Sequence, residues 1–184
     1  MNDSLAALRA LALAISLGSS MLVATRAAEP AHVHGVVQLN AAIEAGVVTL
    51  QIEAPLDSLV GFEHAPRTAA QKQAAQAMLD RFNAPQSLFG LPAAAQCSLR
   101  TYSAESEALK SDAAKPSTGA EEHADLDGSF VFECKQAGAI DSIDLGGLLA
   151  AFPRIVRVEA VVVAPGVQVK RVVTRPDKTL RWRR

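Results

Sequence analysis

Apolar and polar side chains alternate with a period of two through much of this chain, and that pattern commits it to half-buried strands rather than long helices. Residues 32–43 set Val33, Val37, Leu39, Ala41 and Ile43 on one side and His32, His34, Gln38 and Asn40 on the other. Glu44-Ala45-Gly46 turns tightly into residues 47–53, where Val48, Leu50 and Ile52 face one way and Thr49, Gln51 and Glu53 the other. The two runs predict a hairpin. Alternation returns over 96–103 and 126–135, and again over 154–164 and 167–174 on either side of Pro165-Gly166, which predicts a second hairpin. Residues 178–183 read as a last edge strand.

Helical spacing is confined to short pieces. Residues 56–62 suffice for a turn of helix after Pro55. Thr68 and Gln71 form a capping box ahead of the apolar stripe Ala75, Met78, Leu79 and Phe82, and Asn83-Ala84-Pro85 stops that helix. Residues 140–152 space Ile143, Leu145, Leu148, Leu149 and Phe152 as a helix whose middle is weakened by Gly146-Gly147. Residues 104–124 hold almost no large apolar side chain, so they are expected to form a mobile loop. The reading is one α+β domain over residues 29–184. An internal two-fold repeat is suggested by His34 and His123 each leading an alternating strand, and by Leu56-Asp57-Ser58-Leu59 echoing Ile140-Asp141-Ser142-Ile143.

The first 28 residues have the form of a cleavable signal peptide, with Arg9 before an alanine- and leucine-rich run that ends in Ala24, Thr25, Ala27 and Ala28. A membrane anchor needs a longer and more strongly apolar run, and no cysteine stands nearby for lipid attachment. Export to a bacterial periplasm follows, with no membrane span in the mature form. In that oxidising compartment Cys97 and Cys134 are most simply a disulfide. Zinc ligation by both thiolates is the alternative, and it lacks close C-x2-C spacing. A formal net charge of -1 carries no nucleic-acid footprint, and Arg181-Trp182-Arg183-Arg184 reads as a solvated strand end.

Chemistry rests on four histidines. His32 and His34, two apart on an extended segment, present both rings to one face and can grip one cation, but two ligands alone make no structural zinc site. The bland reading is a solvated pair near a chain end. Pro30 has no N–H to give, so any metal must use side chains rather than a terminal backbone motif. His64, beside Glu63, stands just ahead of the capped helix, and His123 lies among Glu121, Glu122, Asp125 and Asp127. Ser58 with His64 is the one local nucleophile–base candidate. No nucleophile elbow, phosphate loop or H-E-x-x-H helix accompanies it, so no enzyme is expected.

The Ala31-His32-Val33-His34-Gly35 opening, the Gly61-Phe62-Glu63-His64-Ala65-Pro66 run, and Cys97 and Cys134 flanking a polar insert together resemble the ZrgA-like family of periplasmic zinc-binding proteins. The resemblance spans about residues 30–182. It implies a curved antiparallel sheet backed by two or three helices, and zinc as the bound ion. It further implies a role as an accessory to zinc uptake beside a transporter component, with His32, His34, His64 and His123 as ligands. Members often carry a histidine- and aspartate-rich tract between the cysteines. Here residues 104–124 offer carboxylates and a single histidine at the end, so one core site is expected rather than high-capacity storage. The competing class is an envelope module with solvated histidines that docks a partner through edge strands or the Val161 and Val163 side of the late hairpin.

Overall fold

The computed structural model describes residues 33–110 and 124–183. Strands β1 (Val36–Glu44) and β2 (Val47–Pro55) form the expected hairpin, with Glu44 opposite Val47 and Ala45-Gly46 as the loop. Both loop residues have positive φ, 47° and 83°, the geometry whose twist matches the flanking strands. The chain continues through α1 (Leu56–Val60), α2 (Ala69–Phe82), β3 (Cys97–Glu105), α3 (Glu107–Lys110) and β4 (Asp125–Cys134). It ends with β5 (Ser142–Asp144), α4 (Gly146–Ala151), the hairpin β6 (Arg157–Ala164) and β7 (Val167–Val173), and β8 (Thr179–Arg181).

Six strands make one open sheet in the order β3-β4-β2-β1-β6-β7. Every neighbouring pair is antiparallel except β1 and β6, which run parallel from Val36 opposite Arg157 to Ala42 opposite Val163. One face is buried, through Val37, Leu39, Leu50, Phe130, Val158 and Val162. The other face is wet, with Gln38, Asn40, Gln51, Glu53 and Asp127 exposed. This one-sided burial is what period-two alternation means in an antiparallel sheet.

On the covered face, Phe82 of α2 stacks on Phe152 at 5.2 Å and on Phe130 at 6.1 Å, with Phe89 5.1 Å from Phe130. Both halves of the predicted capping box are present: Thr68 Oγ1 accepts the Gln71 N–H, and Gln71 Oε1 accepts the Thr68 N–H. At the sheet's edge Cys97 and Cys134 stand opposite each other on β3 and β4 and are bonded. The bridge closes a 37-residue separation, which by the chain-entropy account contributes about 3–4 kcal/mol.

Three expectations change. Residues 140–152 are not one helix. Ser142–Asp144 pairs as β5 with β8 in a separate two-stranded sheet, so the last strand lies outside the main sheet. The helix starts only at the glycines, where the Asp144 carboxylate accepts the Gly146 N–H at 2.7 Å. A Cβ on Gly147 would lie 2.0 Å from the Ser87 carbonyl oxygen, so that glycine is a close-packing residue rather than a helix weakness. The echo of Leu56–Leu59 in Ile140–Ile143 is one of sequence only, since Leu56–Val60 is helical while Ser142–Asp144 is a strand. Ala104 and Glu105 complete β3 and α3 follows, where Lys110 bridges Glu105 and Glu107; residues 111–123 lie outside the described residues.

Arg175 ties down the turn between α4 and β6. Its guanidinium donates to the carbonyls of Leu149, Pro153 and Ile155, satisfying acceptors that the end of α4 and the following turn leave open. Arg175→Ala is expected to lower stability by about 1–2 kcal/mol, read from the urea midpoint. Ala45→Asn, placing a residue that tolerates positive φ in the β1–β2 turn, is expected to raise stability by about 0.5 kcal/mol in the same assay.

Candidate functional site

The site forms where β2 ends at Pro55 and passes into α1, whose Leu56 and Leu59 are anchored in the core. Asp57 in its first turn is left one-quarter exposed, at 25 %. Gly61, at φ 85°, caps the helix and turns the chain into the Phe62-Glu63-His64 run. Beside this corner the chain enters β1. Residues 33–36 form a turn, closed by the Val36 N–H donating to the Val33 carbonyl at 3.0 Å.

Gly35 is the pivot of that turn. Its φ is 79°, and a Cβ there would lie 2.8 Å from Val156 Cγ2. Its N–H donates to Ser58 Oγ at 2.8 Å, while its carbonyl accepts from the N–H groups of Val156 at 2.7 Å and Arg157 at 3.1 Å. One glycine is therefore clasped by α1 on one side and by the start of β6 on the other.

The clasp sets His34 between two carboxylates. Nε2 lies 2.8 Å from Glu63 Oε1, and Nδ1 lies 3.8 Å from Asp57 Oδ2. Glu63 Oε1 is closed to solvent and stands at ion-pair distance from His34 Nε2, off the line of a well-directed hydrogen bond. His64 follows directly. Its Nδ1 is 2.9 Å from the Ala65 carbonyl, and its ring lies 5.4 Å from that of Phe62. With the Nδ1 proton assigned to that carbonyl, Nε2 keeps its lone pair.

The sequence expectation of two histidines side by side on a strand does not hold at His34, because the turn at Gly35 comes first and leaves Val33 55 % exposed. His32 and His123 lie outside the described residues. Among the described residues no three His, Cys, Asp or Glu side chains gather closely enough to hold a metal ion. Asp57 and Glu63 are the neighbours of His34 that sequence reasoning did not single out. The signal for Glu63 was present in its place beside His64, whereas nothing local marks Asp57. Ser58 is fully buried with its oxygen engaged by Gly35, so it offers no nucleophile to a substrate. The cysteines, being bonded to each other, offer no thiolate.

These features define an open-faced α+β protein with a histidine–carboxylate cluster at the end of its central strand. Residues 31–182 match the family described as ZrgA family zinc uptake proteins, and the chain belongs to that family. Comparison with curated proteins finds no match. Among the described residues no helix is long and apolar enough to cross a membrane.

Because Gly35 carries the clasp, Gly35→Ala is expected to cost about 1–3 kcal/mol through left-handed strain and overpacking against Val156. Thermal unfolding measures the loss, and an unchanged midpoint would contradict the assigned geometry.

Proposed function

We propose that the protein binds zinc at the His34–Glu63 corner, in the periplasm, as an accessory to zinc uptake. The observation that carries the reading is the convergence of His34 Nε2 and Glu63 Oε1 at 2.8 Å without a well-directed hydrogen bond between them. Two such donors on one tetrahedral zinc stand about 3.3 Å apart, so the pair need open by only about half an ångström to admit the ion. Asp57, facing Nδ1 of the same ring, is placed as the outer carboxylate that orients a metal-bound imidazole. Two carboxylates at one corner also favour a cation electrostatically.

Zinc seeks four ligands, and the remaining ones come from the neighbouring histidines. His64, with Nε2 bare, adjoins Glu63 in sequence, and His32 lies two residues before His34. His123 is the fourth histidine of the expected set. The membership in a zinc uptake family supports the choice of metal, and a transporter component is the partner to which the ion passes. Export supplies the rest of the setting: residues 1–28 are read as a cleaved signal, and the Cys97–Cys134 bridge suits an oxidising compartment. The protein acts as a carrier rather than an enzyme, with one site rather than a store. An interaction module without metal has less support, since the Val161 and Val163 side of the late hairpin is interspersed with Asn40, Gln168 and Lys170 on the neighbouring strands.

Competition titration with Zn2+ tests the reading directly. The wild-type protein is expected to bind zinc below about 10 μM, and His34→Ala and Glu63→Gln are each expected to weaken it at least tenfold. Absence of wild-type binding, or equal affinity in all three proteins, sinks the zinc assignment.

A further inference from the structure

We infer that Ser58 is a positioning residue for the zinc site: its hydroxyl oxygen, through the Gly35 N–H, holds His34 in register with Asp57 and Glu63. The inference rests on the zinc reading above and extends it to a residue that touches no metal.

Ser58 is the one polar residue fully excluded from solvent among the described residues, the other buried one, Ser106, keeping 4 % exposure. A buried hydroxyl is costly unless it is bonded, and this one accepts the Gly35 N–H at 2.8 Å across 23 residues of sequence. Gly35 directly follows His34, and Ser58 directly follows Asp57. Helix α1 therefore addresses the strand entry at two consecutive positions, with Asp57 turned to the His34 ring and Ser58 to the peptide behind it.

The attachment is needed because α1 cannot place itself. It has five residues and no side-chain N-cap, too few for a helix that stands alone. Leu56 ties the start of the helix to the sheet, its N–H donating to the Ala124 carbonyl at 2.8 Å, and Leu56 and Leu59 fix its depth in the core. The hydrogen bond that Ser58 Oγ accepts from the Gly35 N–H adds the directional contact on the side of the strand entry. Gly35 is itself held on its other side by Val156 and Arg157, so Ser58 refers the helix to the sheet through a peptide bonded from both sides. With the hydroxyl gone, the Gly35 N–H is buried without an acceptor, and the cheapest relief is to shift the turn that carries His34.

The test compares zinc affinity and stability in Ser58→Ala, in His34→Ala and in Phe132→Leu, a core variant destabilised at the Gly46 end of the sheet, away from Gly35. Ser58→Ala is expected to weaken zinc about tenfold or more, as loss of an outer-shell partner does, whereas Phe132→Leu loses stability and keeps its affinity. In the unaltered protein, added Zn2+ is expected to slow hydrogen exchange at the Gly35 amide several-fold, because coupling between lock and site is reciprocal. That measurement stands even if Ser58→Ala does not fold. Wild-type zinc affinity in Ser58→Ala, with His34→Ala impaired, overturns the positioning role and leaves the zinc site intact; so does a Gly35 amide indifferent to zinc. A wild-type protein that binds no zinc overturns both.

Discussion

The six main strands form one sheet because β1 pairs in parallel with β6. Every other junction in the main sheet is antiparallel, and the hairpins β1–β2 and β6–β7 and the disulfide-tied pair β3–β4 are each coherent units. Only the ladder from Val36–Arg157 to Ala42–Val163 joins the β6–β7 hairpin to the rest of the sheet. It places β1 fully inside the sheet, which is why Val37, Leu39 and Ala41 are buried almost completely. It also brings the start of β6 against the start of β1, where the Gly35 carbonyl finds its donors. The candidate site is thus a by-product of the joint that unifies the sheet.

The wet face of the sheet is stabilised by polar contacts that cross the same joint. Arg157 donates to Glu159 two residues along β6, and this bond, together with one to Gln38 on β1, holds the Glu159 carboxyl below the usual carboxylate range. A carboxyl lowered in the folded state contributes above its unfolded value, and that contribution fades only as acid carries the pH down through the folded value. The Glu159 side chain is about 40% exposed, so the effect refines the joint rather than securing it. Burial of the opposite face does the greater part.

Local pattern made much of this legible in advance. The β1–β2 turn, the capping box of α2, the β6–β7 turn and the cysteine pair are all written in residues a few positions apart, or in a pair with no other partner. The parallel ladder was not legible, since nothing near Val36 points to Arg157, and two strands that satisfy the same alternation fit many arrangements. The glycine pair at 146–147 misled because propensity treats Gly as a helix weakness. Here its missing side chain lets Ser87 approach the backbone. At the site, histidines are rare enough to be noticed and carboxylates are not. His34 and His64 were therefore named from the sequence, while Asp57 and Glu63 needed the corner between α1 and β1 to single them out.

The clasp around Gly35 also orders events in time. A ribosome delivers His34, Asp57 and Glu63 early, but the N–H groups of Val156 and Arg157 that complete the clasp emerge about 120 residues after Gly35. Until then the turn has its own Val36–Val33 hydrogen bond and its bond to Ser58, on a helix too short to persist alone. A nascent or truncated chain therefore carries the residues of the corner without the corner itself, which arrives with the last quarter of the polypeptide.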